Sequence, residues 1–154
     1  MRLNRNFVEL LECLAAHDVR YMIVGGYALA AHGHPRYTKD LDVWVWPDDD
    51  NAAALLRALD DFGFGGLGLV ADDFTAPDTI VQLGYPPQRI DLITTPEGVD
   101  FDECWPDRIE VGIGDVVAPF LGLDALIANK EAAGRGQDKA DADLLRRARD
   151  RRRR

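Results

Sequence analysis

The stretch VGGYALAAHGHPRYTKDLDVWV, from Val24 to Val45, decides how this chain is read, together with RIDLIT from Arg89 to Thr94. Alternate residues of a strand point to the same face, so Asp40 and Asp42 present their carboxylates side by side. Leu41, Val43 and Val45 then turn to the opposite face, as core. Two like charges on one face are unfavourable unless a cation sits between them. Hard divalent cations such as Mg²⁺ or Mn²⁺ take oxygen ligands of this kind and serve phosphoryl chemistry. Upstream, Gly25-Gly26 predicts a tight passage from a buried strand (Arg20 to Val24) into a helix of about two turns ending near Gly33. Free N–H groups at such a helix start attract an anion, and glycines let phosphate approach the backbone closely. Ile90 and Leu92 alternate with Asp91, which therefore faces outward from a second strand.

The two segments together resemble the polymerase-β-like nucleotidyltransferase superfamily. Its signature is a strand, a Gly-Gly or Gly-Ser turn into a helix, an Asp-x-Asp strand and a third acidic residue on a later strand. Thirteen residues separate Gly26 from Asp40, at the long end of the expected spacing. Arg36, Thr38, Asp40 and Asp42 resemble the R-x-[ST]-x-D-x-D string of small bacterial toxin and abortive-infection nucleotidyltransferases. LIANKEAAGRGQDKADADLL, from Leu126 to Leu145, resembles theirs as well, so the likeness spans about Tyr21 to Leu145. Many members carry Ser at the second turn position, where Gly26 leaves only backbone donors.

The resemblance implies a metal-dependent enzyme that moves a nucleoside monophosphate from an NTP to a hydroxyl and releases pyrophosphate. Asp40, Asp42 and Asp91 would be both metal ligands and catalytic residues. Asp40 and Asp42 would hold Mg²⁺ against the phosphates, and Asp91 would complete a second site and help deprotonate the acceptor. Gly25, Gly26, Arg36, Thr38, Lys39 and Lys130 would bind the nucleotide. Lys130 also stands out on its own. It falls seven residues after Leu123, four after Leu126 and three after Ile127, on the stripe expected to face the core, and a buried lysine needs an anion. The acceptor would be RNA or a protein in a toxin–antitoxin or defence setting, with an antitoxin as partner. An aminoglycoside acceptor, or a nucleotide-binding module without turnover, are the alternative readings.

Composition narrows the classes. The chain has 154 residues, 47% of them hydrophobic, enough for one core. No apolar run reaches the roughly 18 residues a membrane span needs, and the N-terminal region has no secretory h-region. Cys13 and Cys104 are too few for a disulfide framework or a zinc site. These features predict a cytoplasmic protein without membrane contact. Net charge is −9, yet residues 1–145 carry 11 basic and 26 acidic side chains, a net of −15. The remaining 146–154 stretch holds seven arginines and one aspartate. Residues 1–145 are expected to form a single domain, with the arginine-rich tail disordered beyond the last helix. Such a tail is the one strongly basic element that RNA could meet.

Patterns along the chain predict an α/β (α+β) mixed sheet with helices mainly on one face. Asn6 and Glu9 suggest a capping box ahead of Phe7, Leu10, Leu11 and Leu14. Pro47 and Asp48–Asp50 start a helix closed by Gly63, the acidic run serving as cap and dipole complement. Gly63 to Gly68 lacks the lysine of a phosphate loop. Thr79 to Tyr85 and Arg89 to Thr94 form a hairpin around Pro86-Pro87, and Arg108 to Ile113 pairs with Val116 to Phe120. Leu123 to Ala133 is a helix stopped by Gly134, and Asp138 caps a last helix through Arg149. His32 and His34 read as helix-end residues. Trp44 and Trp46 share the aspartate face, either lining a cleft or packing beneath a helix.

Overall fold

The computed structural model describes residues 1–36 and 38–153. Helix α1 (Arg5–Ala16) buries Phe7, Leu10, Leu11 and Leu14, the stripe expected at helical spacing. Its cap is Asn4, not Asn6: the Asn4 side chain accepts the Phe7 N–H at 2.9 Å. Strand β1 (Tyr21–Val24) runs directly into α2 (Gly25–Ala31), and β2 (Asp40–Val45) returns antiparallel to β1. Helix α3 (Asp49–Leu59) starts at Asp48, whose carboxylate accepts the Asn51 N–H, with Asp49 and Asp50 in its first turn. The acidic run thus serves the helix start as expected. A π-turn over Asp60–Phe64 and two short 3₁₀ turns lead onward, with Gly63 at φ +114° closing the helical path.

β3 (Ile80–Leu83) and β4 (Arg89–Ile93) form the expected hairpin, and β5 (Ile109–Ile113) with β6 (Val116–Phe120) forms the other. The six strands make one mixed sheet in the order β3-β4-β2-β1-β6-β5, with β2–β4 and β1–β6 parallel. Parallel neighbours need crossovers, and α3 lies in the one between β2 and β4. The architecture is α+β with a mixed sheet, as the patterns predicted.

A one-turn helix α4 (Phe101–Cys104), too short to show a period in sequence, changes the aspartate face of β2. Trp44 on that face is fully buried, edge-on to Phe101, and its indole N–H donates to the Thr94 carbonyl at 3.0 Å. Of the two readings of Trp44, packing beneath a helix holds, and this end of the face is covered. Leu41, Val43 and Val45 on the other face are wholly buried.

α5 (Leu123–Ala133) ends at Gly134, which adopts φ +69°. α6 (Gly136–Arg152) packs against α5 through a core that includes Leu126, Ile127, Ala142 and Leu145. Two details of α6 differ from the sequence reading. Its cap residue is Arg135, so Asp138 lies inside the first turn, and the helix continues past Arg149 to Arg152. Arg154, the last residue of the expected tail, lies outside the described residues.

Candidate active site

Pairing of β2 with β4 assembles the carboxyls. In their parallel register Asp40 stands opposite Arg89 and Asp42 opposite Asp91. Partners in a ladder share a face, so Asp40, Asp42, Arg89 and Asp91 form one polar patch on central strands. Leu41, Ile90, Val43 and Leu92 alternate with them into the core.

Arg89 is the member the sequence reading passed over. Its Nη2 lies 2.6 Å from Asp40 Oδ2 and 3.2 Å from Asp91 Oδ2, while Nε lies 3.1 Å from Asp91 Oδ1. One guanidinium therefore bridges two strands. The signal was present: Arg89 sits two residues before Asp91 on the same strand, hence on the same face. Its place as the first residue of β4 hides this role in the sequence.

Three carboxyls share that single cation, and two of them, Asp42 and Asp91, hold their protons more tightly than usual. Burial pushes Asp42 up to about 7, helped by the charges of Asp91 and Asp40 and opposed by Arg89. Burial raises Asp91 too, against hydrogen bonds from Arg89 that favour its ionised form. Asp40 Oδ1 is buried without any hydrogen-bond partner.

Gly25 fixes the corner above Asp42. It adopts φ +71°, and a Cβ there would lie 2.1 Å from Asp42 Oδ2. A side chain at this position would collide with the carboxylate, so glycine is required twice over. Gly26 is less constrained: a Cβ would meet the Thr38 side chain at 3.1 Å. Thr38 in turn donates its hydroxyl to the Asp40 carbonyl at 3.2 Å, which ties the loop to the start of β2.

Beside this corner is a cleft of about 300 Å³ lined by Gly26, Arg36, Thr38, Lys130, Arg135 and the acidic side of α6. Lys130 is largely but not fully buried, its side chain 12% exposed on the inward side that its helical position predicted, and its anions come from the protein itself. Its Nζ lies 3.6 Å from Asp138 Oδ1 and 3.4 Å from Asp141 Oδ2. Arg36 also pairs with Asp141, and Arg135 donates to Asp138 at 2.7 Å. Asp138 and Asp141 both lie near the start of α6. They are buried counter-ions to three cations, and Asp138 is held below the usual carboxylate range because Arg135 and Lys130 outweigh its desolvation. Lys39 is exposed and makes no ion pair among the described residues. His32 caps the end of α2 and its ring contacts the Leu121 carbonyl at 2.8 Å, a structural role.

Among the described residues no three Asp, Glu, His or Cys side chains are arranged as a ready metal cage. The donor set nonetheless suits a hard cation: all ligands are carboxylate oxygens, one buried oxygen has no partner, and a guanidinium already supplies positive charge there. Both cysteines are free, and no described helix is long and apolar enough to cross a membrane.

No family pattern and no curated protein sequence matches this chain. A solved structure from Thermotoga maritima, of a protein provisionally assigned as a nucleotidyltransferase, superposes with a TM-score of 0.61 at 16% identity. The match covers 96% of this chain and 92% of the other. At that identity the likeness shows the fold, which is nucleotidyltransferase-like.

Proposed function

We propose that this protein is a metal-dependent nucleotidyltransferase that moves a nucleoside monophosphate from an NTP to a hydroxyl, releasing pyrophosphate. The observation that carries the reading is the register of β2 and β4, which stands Asp42 opposite Asp91 with Asp40 beside them, on a fold of the nucleotidyltransferase kind. Asp40, Asp42 and Asp91 would hold Mg²⁺ or Mn²⁺. When bound, the cation neutralises phosphate charge and polarises the α-phosphorus towards attack.

The chain's own residues divide the remaining work. Gly25 and Gly26 add no side chains at the strand-to-helix corner, where Asp42 and Thr38 already pack close, and their backbone N–H groups would meet a triphosphate. Arg36, Lys130 and Thr38 line the adjoining cleft and offer hydrogen bonds to phosphate, and the exposed Lys39 would add a further charge next to Thr38 in the chain. Asp91 takes the proton of the acceptor hydroxyl as its oxygen bonds to the α-phosphorus and the bond to the pyrophosphate oxygen breaks. For Lys130 and Arg36 to serve phosphate they must share themselves with Asp138 and Asp141, which keeps both cations poised in the metal-free protein.

The acceptor in this reading is RNA or a protein, in a cytoplasmic toxin–antitoxin or defence setting with an antitoxin partner. Incubating the protein with each α-labelled NTP, Mg²⁺ and either total RNA, cell protein or an aminoglycoside tests it. Label should enter RNA or protein with the wild type and not with Asp91→Asn. Label in the aminoglycoside alone would replace the acceptor, and no label anywhere would refute the transferase reading.

A further inference from the structure

We propose that Arg89 is a tethered counter-ion that occupies the carboxylate patch before metal enters, and that it must withdraw for a divalent cation to bind. The proposal rests on the reading of Asp40, Asp42 and Asp91 as metal ligands. It adds a gate to that site, set by one side chain.

The geometry is that of a competitor. The Arg89 fork engages Asp40 Oδ2, Asp91 Oδ1 and Asp91 Oδ2 at 2.6, 3.1 and 3.2 Å. These are oxygens a hard cation would need from both strands. A planar guanidinium bound through several N–H groups covers their lone pairs, so it and a metal ion cannot use them together. The fork does not exhaust the patch: Asp40 Oδ1 has no partner, and no hydrogen bond joins Arg89 to Asp42. Capacity for a more highly charged cation is therefore left over. Arg89 can also leave. Its side chain is 29% exposed, and the arm is long and unbranched, so withdrawal needs rotamer changes alone.

A phosphate group arriving beside the patch would give the released guanidinium a new anion. Metal and nucleotide binding then become coupled: bare metal must displace Arg89 without compensation, whereas metal arriving with nucleotide does not. Coupling of this kind is reciprocal between the two ligands.

Mn²⁺ binding without nucleotide, read from the loss of the free-ion electron paramagnetic resonance signal, tests the gate in wild type, Arg89→Gln and Asp42→Asn. Arg89→Gln should bind Mn²⁺ roughly tenfold more tightly than wild type, an ordinary size for a coupling, and Asp42→Asn more weakly. A non-hydrolysable NTP analogue should narrow the gap between Arg89→Gln and wild type. Equal or weaker Mn²⁺ binding by Arg89→Gln, with Asp42→Asn still weakened, would overturn the gate and leave the metal site standing. Absence of Mn²⁺ binding in wild type and Arg89→Gln alike would overturn both. If loss of the cation unfolds Arg89→Gln, Arg89→Lys replaces it. Its ammonium keeps the charge but cannot span both carboxylates as a fork, so Mn²⁺ should again bind more tightly than in wild type, and equal binding overturns the gate.

Discussion

Asp42 on β2 and Asp91 on β4 are partners in a parallel ladder, so the fold itself forces two carboxyls into one small volume. Burial, with the neighbouring charges, holds Asp42 at about 7 in the folded protein against 3.8 ordinarily. The folded state therefore binds this proton more tightly than the unfolded chain does. The stabilisation is fully present below about 3.8 and is lost as pH rises through about 7. Thermal melts in the presence of a chelator should show stability falling across that window, and Asp42→Asn should flatten the slope. Added Mg²⁺ should reverse it towards the upper end, because metal competes with the proton. Asp138 acts in the opposite sense, its contribution being lost only as pH falls below the ordinary carboxylate range.

Gly25 leaves no room for a methyl group. Gly25→Ala combines a left-handed backbone with a collision against Asp42 Oδ2. It should destabilise the protein by on the order of 1–3 kcal/mol, measured by urea unfolding, and should weaken metal-dependent NTP binding. Gly26→Ala should be milder, since only the Thr38 side chain must give way.

Asn51 is a buried fastener between α3 and two strand ends. It accepts the Arg20 N–H at 2.7 Å and donates to the Arg20 and Trp46 carbonyls, each at 2.9 Å. Asn51→Ala leaves the Arg20 N–H unmet, while the Arg20 and Trp46 carbonyls keep the N–H groups of Trp46 and Asp48, a loss of about 1–3 kcal/mol in urea unfolding. NTP affinity well below the unfolding midpoint should hardly change, because the residue touches nothing in the site.

What the sequence made legible was local. The alternation of Asp40 to Val45, the hairpin around Pro86-Pro87 and the helix from Leu123 to Ala133 follow from short-range periodicity and turn chemistry, and all three are present. What it hid was convergence. Arg89 and Asp138 read locally as a strand start and a helix cap because their partners lie on other elements. Local pattern carries no record of which distant carbonyl or ammonium will arrive. Lys130 shows the limit well: its inward position is readable from helical spacing, but the source of its anions is not.

The arginines of α6 divide into two sets. Arg146 pairs with Glu131 and Asp143, and Arg149 with Asp124 and Asp150, so these two brace α6 against α5. Arg147, Arg151 and Arg152 are exposed and make no ion pair among the described residues. If RNA is the acceptor, replacing those three by Ala should weaken RNA binding and reduce its salt slope by roughly 2, at about 0.7 per lost contact to single-stranded RNA. Stability should stay nearly constant. Unchanged RNA affinity and slope in binding titrations across salt concentrations would remove these side chains as the RNA contact.

Asp141 reaches from α6 to Arg36, in the loop that leads into β2, and to Lys130 on α5. An element late in this sequence thus supplies a fastening for a loop made earlier. While α6 is still inside the ribosome, Arg36 and Lys130 lack their buried counter-ion, and the cleft beside Gly26 cannot take its final shape. A nascent chain would carry its aspartates and its glycine corner before it carried a finished cleft beside them.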